Sequence, residues 1–373
     1  MKTFINTCIH FLKKETVLCI AGFLAFISAF FVHPSAAYMG YIDFRVLSLL
    51  FSLMLVVAGF QSIGLFHCLG SALLTKVHTT RQLILVLSLL CFFSSMFITN
   101  DVALLTFVPF AIMILTMAGQ QKLLISTIVL QTIGANLGSM FTPVGNPQNL
   151  YLASAFSLST GTFLIRMFPL TALSLVLLVA AACMLPSTPV DIASQTAAER
   201  PEPKKLAVYL VLFMTCLGCV SHLIPYPVML VLVLITLLFI NRTLFQKADY
   251  FLLLTFVFFF LFIGNVQNIP AVSDLLHKLI RGRELGAGIL LSQCISNVPA
   301  AILLSGFTDQ VIPLLYGVNI GGLGTLIASL ASLISYRFYV GTENAHTGRY
   351  MKVFTLYNVI FLIILALVAW KIL

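Results

Sequence analysis

Stretch after stretch of this chain is apolar over the length that a helix needs to cross a lipid bilayer, and this constrains its fold more than any other feature. Residues 16–33, 45–66, 163–185 and 354–373 reach or approach the roughly 20 residues that span the hydrocarbon core. Inside lipid each backbone N–H and C=O must find a partner within the protein, so such segments become helices. The expected fold is an all-α polytopic membrane protein whose surroundings are the lipid bilayer. Composition removes the soluble alternative. With 60% hydrophobic and 8% charged residues and a mean hydropathy of +1.09, the chain carries about a third of the charge of a soluble domain, for which roughly 25% is usual.

The net charge is +9, from 20 Lys and Arg against 11 Asp and Glu. The basic residues lie in short connections between apolar spans, where they act as topology signals and give no reason to expect a nucleic-acid partner. Nine crossings are expected, at about 16–33, 46–66, 122–150, 163–185, 206–222, 227–241, 250–268, 310–336 and 354–372. Two further apolar segments, 82–118 and 285–306, are each interrupted by a polar cluster and read as re-entrant hairpins. Irregular backbone of that kind is tolerated at membrane depth only within protein or along a cavity. An N-terminus inside and a C-terminus outside put most Lys and Arg on the inner side, among them Lys2, Lys13, Lys14, Lys76, Arg200 and Lys247. Lys278, Arg281 and Arg283 run against that bias. Pro34-Ser-Ala-Ala imitates a secretory cleavage site, but with further spans behind it an uncleaved first helix is expected. A Pro-, Ala- and charge-rich linker, 186–205, divides an N-terminal half, 1–185, from a C-terminal half, 206–373.

The two halves echo one another. At a constant offset of 183, Gly134, Asn136, Gly138, Thr142 and Leu150 coincide with Gly317, Asn319, Gly321, Thr325 and Leu333. Upstream, Ile98-Thr-Asn100 matches Ile295-Ser-Asn297, and Gln61-Ser-Ile63 matches Gln267-Asn-Ile269. In the expected topology the copies start on opposite sides, which makes them inverted repeats. Such repeats give secondary transporters two related states, with the site where their broken helices meet near the bilayer midplane.

Polar groups are costly there and point to function. Thr99-Asn100-Asp101 and Ser296-Asn297 supply hydroxyl and amide oxygens at the two hairpin tips. Gly145-Asn146-Pro147 and Ala328-Ser329 are expected to break the two facing helices, freeing carbonyls for a hard cation such as sodium. The N-termini so opened offer N–H groups to an anion, and no Arg or Lys neighbours these positions in the sequence. Gly321, Gly322 and Gly324 read equally as packing residues, and Asn136 and Asn319 as helix-to-helix glue. Asp101, the one acid placed deep in the membrane, reads as a cation ligand, a proton carrier or a capped hairpin turn. Cys216-x-x-Cys219 has no second pair or His cluster beside it and reads as two small hydrophobes. Zinc, phosphate-loop and nucleophile-elbow motifs are absent from the sequence, which argues against an enzyme, a cofactor or an ATP-driven pump. Catalytic residues are therefore not assigned.

Three stretches carry a family likeness: Ile98-Thr-Asn-Asp-Val-Ala-Leu-Leu-Thr-Phe-Val-Pro109, Thr142-Pro-Val-Gly-Asn-Pro-Gln-Asn149 and Ser292-Gln-Cys-Ile-Ser-Asn-Val-Pro-Ala300. They resemble the signatures of the ion transporter superfamily, which includes divalent anion/sodium symporters, citrate transporters, arsenite permeases and one type of sodium/proton antiporter. The likeness is closest to small bacterial anion permeases, which implies the bacterial inner membrane. It further implies a cation site of Thr99, Asn100 and the Gly145 carbonyl, and a second of Ser296, Asn297 and the Ala328 carbonyl. Substrate contacts would come from Asn100, Asp101, Asn146, Asn297 and Ser329. A homodimer and an elevator motion are implied as well. The third tip position, Thr in dicarboxylate members, is Asp101 in one half and Val298 in the other. That departure opens three readings: a sodium- or proton-coupled carrier of a small inorganic or organic anion, an arsenite or antimonite efflux permease, or a sodium/proton antiporter with Asp101 as proton carrier.

Overall fold

A computed structural model describes residues 15–74, 77–190, 201–343 and 345–373. Lys2, Lys13, Lys14, Lys76 and Arg200 lie outside the described residues, as does the middle of the expected linker, 191–200. The described residues form eighteen α-helices and no β-strand, as the apolar runs require. In the first half these are α1 (Thr16–Phe31), α2 (Tyr38–Tyr41), α3 (Phe44–Ser62), α4 (Leu65–Leu74), α5 (Thr80–Ser94), α6 (Asn100–Met117), α7 (Leu124–Ser139), α8 (Pro147–Ala155) and α9 (Thr160–Cys183). The second half contains α10 (Pro203–Val220), α11 (Tyr226–Asn241), α12 (Tyr250–Gln267), α13 (Pro270–Ile280), α14 (Glu284–Ile295), α15 (Asn297–Ser305), α16 (Val311–Ile320), α17 (Leu330–Val340) and α18 (Thr347–Ile372).

Local chemistry sets many of the boundaries. Asp43 and Asp249 accept from the backbone N–H of Val46 (3.0 Å) and Leu252 (2.9 Å), capping α3 and α12. Thr79 and Ser159 do the same for α5 and α9. These side chains satisfy N–H groups that a helix start leaves without intrahelical partners. Pro147 occupies the first turn of α8, where its missing N–H costs nothing.

Seven of the described helices are long and apolar enough to cross a membrane: α3, α6, α9, α10, α11 with its continuing turn Arg242–Lys247, α12 and α18. The count differs from the nine expected crossings in an instructive way. The expected crossings 122–150 and 310–336 are each split into two helices, α7–α8 and α16–α17, whose pieces are individually short, and the expected crossing 16–33 forms the 16-residue α1, which also falls among the shorter apolar helices. Conversely α6, expected as one arm of a hairpin, has a full 18 residues. The expected span 46–66 turns at Gly64, with φ +70°, into a separate helix, α4. The start of the expected linker is tied down: Thr80 N–H donates to Thr188 C=O (2.9 Å) and Val190 N–H to His78 C=O (3.0 Å).

The packing has two parts. Helices α1 and α12 pack on one another, and α3 packs on α10, α11 and α12. The rest clusters around the split helices. Each hairpin clasps the first piece of its own half: α5 and α6 pack on α7, and α14 and α15 pack on α16. The second pieces are exchanged, with α8 packed on α15 of the other half and α17 on α6 and α7. Glycines permit these approaches. A Cβ on Gly288 would lie 2.9 Å from the carbonyl carbon of Gly317, so α14 and α16 touch backbone to backbone.

Candidate functional site

The site begins at the two hairpin tips. Hairpin one turns through 95–99 between α5 and α6, and hairpin two turns at Ser296 alone, between α14 and α15. Beside each tip lies the break in that half's split helix, 140–146 in one and 321–329 in the other. Tip and break are joined by the same bond in both halves. The backbone N–H of Asn100 donates to the carbonyl of Gly145 (3.3 Å), and that of Asn297 donates to the carbonyl of Ala328 (3.0 Å).

A threonine braces each junction. Thr142 donates to the Met96 carbonyl and accepts from Gly145 N–H at 3.1 Å. Thr325 donates to the Gln293 carbonyl at 3.3 Å and accepts from Ala328 N–H at 3.2 Å. Of the carbonyls expected to be free for a cation, that of Gly145 accepts one hydrogen bond and keeps a second lone pair, while that of Ala328 also takes a long contact of 3.4 Å from Ser296 Oγ. Gly145 is required for the approach, because a Cβ there would run into the carbonyl of Ser139 and come within 2.8 Å of that of Ser95.

The tips differ in backbone. Thr99 is extended, at φ −61° and ψ 152°. Ser296, at φ 75° and ψ 155°, occupies a region essentially reserved for glycine. Its hydroxyl has only long contacts, 3.4 Å to Asn297 Oδ1 and 3.4 Å to the Ala328 carbonyl.

Between the tips runs a buried thread of neutral polar groups. Asn136 Oδ1 accepts from Asn100 Nδ2 (2.8 Å) and from Ser329 Oγ (3.0 Å), and Asn136 Nδ2 donates to Ser332 Oγ (3.3 Å). The equivalent Asn319 Nδ2 donates to Asn149 Oδ1 (2.7 Å). Asn136 and Asn319 are one pair of the 183-residue echo, and Asn149 and Ser332 are another. The same bond thus crosses between the halves twice. Asn146 Nδ2 donates to Ser139 Oγ at 2.5 Å.

Two cavities meet this arrangement. One of about 180 Å³ brings Thr99, Asp101 and Asn146 against Gln61 of α3 and against Lys247 and Asp249. The other, about 310 Å³, is lined by Ser296 and Val298 and shares Asp249 and Leu252 with the first. The third tip positions, Asp101 and Val298, therefore both face a cavity. Asp101 Oδ1 is buried without a hydrogen-bond partner among the described residues.

The expected groups are brought together with exceptions. Thr99, Asn100 and Gly145 form one cluster, and Ser296, Asn297 and Ala328 the other. Asn146 faces the first cavity. Ser329, expected at the substrate, instead turns inward to Asn136, and Asn100 Nδ2 lies 3.5 Å from it. Asp101 is not the only acid with a buried carboxyl oxygen: Glu284, 2% exposed at the start of α14, accepts from Thr308 Oγ1 (2.9 Å) and Gly282 N–H (3.0 Å). Nor are these positions free of basic residues, since Lys247 folds back to line the first cavity. Asn149 and Ser332 escaped the sequence reading, although their common offset with Asn136 and Asn319 marks them.

With this geometry in hand, likeness to known proteins is informative. Residues 8–309 match the model of the citrate transporter family CitMHS. An uncharacterized transporter of Methanocaldococcus jannaschii is 32% identical, over 87% of this chain and 88% of that protein. The inner membrane protein YbiR of Escherichia coli is 32% identical, over 89% and 88%. A silicon efflux transporter of Oryza sativa is 32% identical over a shorter stretch, 34% of this chain and 26% of that protein. The family match covers most of the chain, and two of these relatives match over nearly their whole length. The chain is therefore a multi-pass membrane transporter that belongs to the citrate transporter family.

Proposed function

We propose that the protein is a secondary active transporter that moves a small carboxylate-type anion, coupled to sodium or protons, across a cytoplasmic membrane. The observation that carries this reading is the doubled junction, in which Asn100 N–H meets the Gly145 carbonyl and Asn297 N–H the Ala328 carbonyl. Two equal junctions, each beside a cavity, suit inverted repeats that alternate between two related states. The carbonyls of Gly145 and Ala328, together with Thr99, Asn100, Ser296 and Asn297, suit a hard cation. The helix starts of α8 and α17 at Asn146 and Ser329 suit an anion. Lys247 at the mouth supplies a positive charge that offsets one of the two carboxylates, Asp101 and Asp249, lining the same cavity. An N-terminus inside, a C-terminus outside, a homodimer and an elevator motion complete the proposal.

A second reading, arsenite or antimonite efflux or sodium/proton antiport, is favoured by one observation. Asp101 places a carboxylate in the first cavity with its buried Oδ1 unpartnered among the described residues. Such a group repels an anion until a cation or proton neutralises it. The relative named for silicon efflux supports export as the direction in this reading.

Reconstitution into sealed liposomes separates the two. The first reading expects accumulation of radiolabelled citrate or a smaller carboxylate when a sodium or proton gradient is imposed. It fails if neither gradient drives any carboxylate while a sodium gradient alone moves protons, or while arsenite moves instead.

A further inference from the structure

Asn136 and Asn319 are equivalent residues with unequal surroundings, and the inequality points to a ligand. The Oδ1 of Asn136 is filled, accepting from Asn100 Nδ2 (2.8 Å) and Ser329 Oγ (3.0 Å). The Oδ1 of Asn319 accepts from none of the described residues, although Asn319 is only 2% exposed. A buried amide oxygen left bare forfeits its hydration without a replacement and destabilises the fold.

Swapping the oxygen and nitrogen of Asn319 does not remove the problem. Asn149 Nδ2 donates to two backbone carbonyls, those of Ser139 (3.2 Å) and Thr142 (3.3 Å). Carbonyls only accept, so Asn149 must present its Oδ1 to Asn319. Asn319 must then answer with Nδ2, which donates to Asn149 Oδ1 (2.7 Å) and also to the Leu315 carbonyl (2.8 Å). Two acceptors fix the amide nitrogen, and the bare atom is necessarily the oxygen.

That oxygen sits in the last turn of α16, just before the break 321–329. The same break carries the carbonyl of Ala328, which accepts from Asn297 N–H (3.0 Å) and, at a long 3.4 Å, from Ser296 Oγ at the adjoining tip. Across the break, Gly322 stands where a Cβ would lie 2.9 Å from Asn297 Nδ2 and 3.3 Å from the Asn319 carbonyl. Absence of a side chain there keeps the Asn297 and Asn319 segments close. The break and its tip carry hydroxyl, amide and carbonyl oxygens, and with the acceptor-only oxygen of Asn319 at the edge of the break these are the donor types that suit a hard cation.

We propose that Asn319 Oδ1 is a direct ligand of a sodium ion bound in the C-terminal half. The two halves then bind cations unequally, because Asn136 spends its oxygen on bonds within the protein and Asn319 does not. This rests on the sodium-coupled reading above and deepens it by assigning a residue outside the tips to one half.

The test is thermal unfolding of the purified full chain while sodium chloride replaces choline chloride at fixed ionic strength. A cation that binds the folded state raises Tm in a saturating way. For the wild type a saturating rise is expected. Asn319→Ala should move its midpoint to at least about tenfold higher sodium. Asn149→Ala removes the acceptor of the Nδ2 bond and spares the oxygen. It should lower Tm in choline yet keep the sodium midpoint within about threefold of wild type. Asn319→Asp keeps an oxygen in place, and its midpoint should lie at or below that of wild type. It carries the test if the alanine variant does not fold. A wild-type midpoint in Asn319→Ala, or a loss in Asn319→Asp equal to that in alanine, overturns the assignment and leaves sodium coupling standing. Absence of any sodium response in the wild type overturns the assignment and the sodium-coupled reading together.

Discussion

Replacing Ser296 by glycine should stabilise this protein, and replacing it by alanine should not. At φ 75° and ψ 155° an L-residue pays about 1–3 kcal/mol that glycine does not. Against this gain stands the added freedom of a glycine in the unfolded chain, about 0.4–1 kcal/mol. The hydroxyl contributes little to offset it, because both of its contacts are 3.4 Å long and weak at that distance. Ser296→Gly should therefore come out between neutral and about 2 kcal/mol more stable. Ser296→Ala keeps the strain, loses the hydroxyl and should fall by up to about 1 kcal/mol. Thr99, at φ −61°, supplies the control: Thr99→Gly relieves nothing and should lose about 0.5–1 kcal/mol. Thermal unfolding in detergent reads the order Ser296→Gly, wild type, Ser296→Ala, with steps of about 1–4 °C per kcal/mol for a chain of this size. An alanine variant as stable as the glycine variant would refute the reasoning, since it would mean that Ser296 is not held in the left-handed region.

Four further outcomes are expected. Gly138→Ala drives a Cβ into the Phe92 carbonyl and to 2.7 Å from Ser95 Oγ, and should cost about 2–4 kcal/mol, seen as loss of the monodisperse peak in size exclusion. Gly161→Ala, with no atom within 4 Å of the new Cβ, should be neutral or gain about 0.4–1 kcal/mol in thermal unfolding. Asn136→Leu strands Asn100, Ser329 and Ser332 at once and should lower stability by about 3 kcal/mol, read by denaturant titration. Lys247→Gln, exposed at the cavity mouth, should leave unfolding unchanged. In liposome uptake it should raise the half-saturating anion concentration about three- to tenfold at low salt, an effect that shrinks as salt screens it.

Much of this architecture is legible in the sequence. Pro147 lacks an N–H and Gly145 lacks a side chain, so a break at 140–146 follows from elementary backbone chemistry. The echo at 183 residues then places its counterpart at 323–329, within the observed break 321–329. What stays illegible is which polar group meets which. Asn319 and Asn149 bond across 170 residues of chain, and periodicity reports only that each helix is buried, not who faces whom. Lys247 was read as a topology signal because it lies in a connection between spans. The turn Arg242–Lys247 instead folds it back against Asp101's cavity, a tertiary event with no local signature. Ser296 gives no warning either, because serine is ordinary at a helix start and its backbone angle is imposed by the contacts around it.

The exchange of second pieces, α8 onto α15 and α17 onto α6 and α7, has a consequence for how the protein is made. While the ribosome has delivered only the first half, α8 has α3 to rest on but lacks α15, and Asn136 lacks both Ser329 and Ser332. In lipid such groups have no water to turn to. The nascent first half is therefore an unfinished object, in need of shelter at the site of insertion until Val340 at the end of α17 has emerged. Complementation between two separately synthesised halves would have to insert both into the same patch of membrane before either could settle.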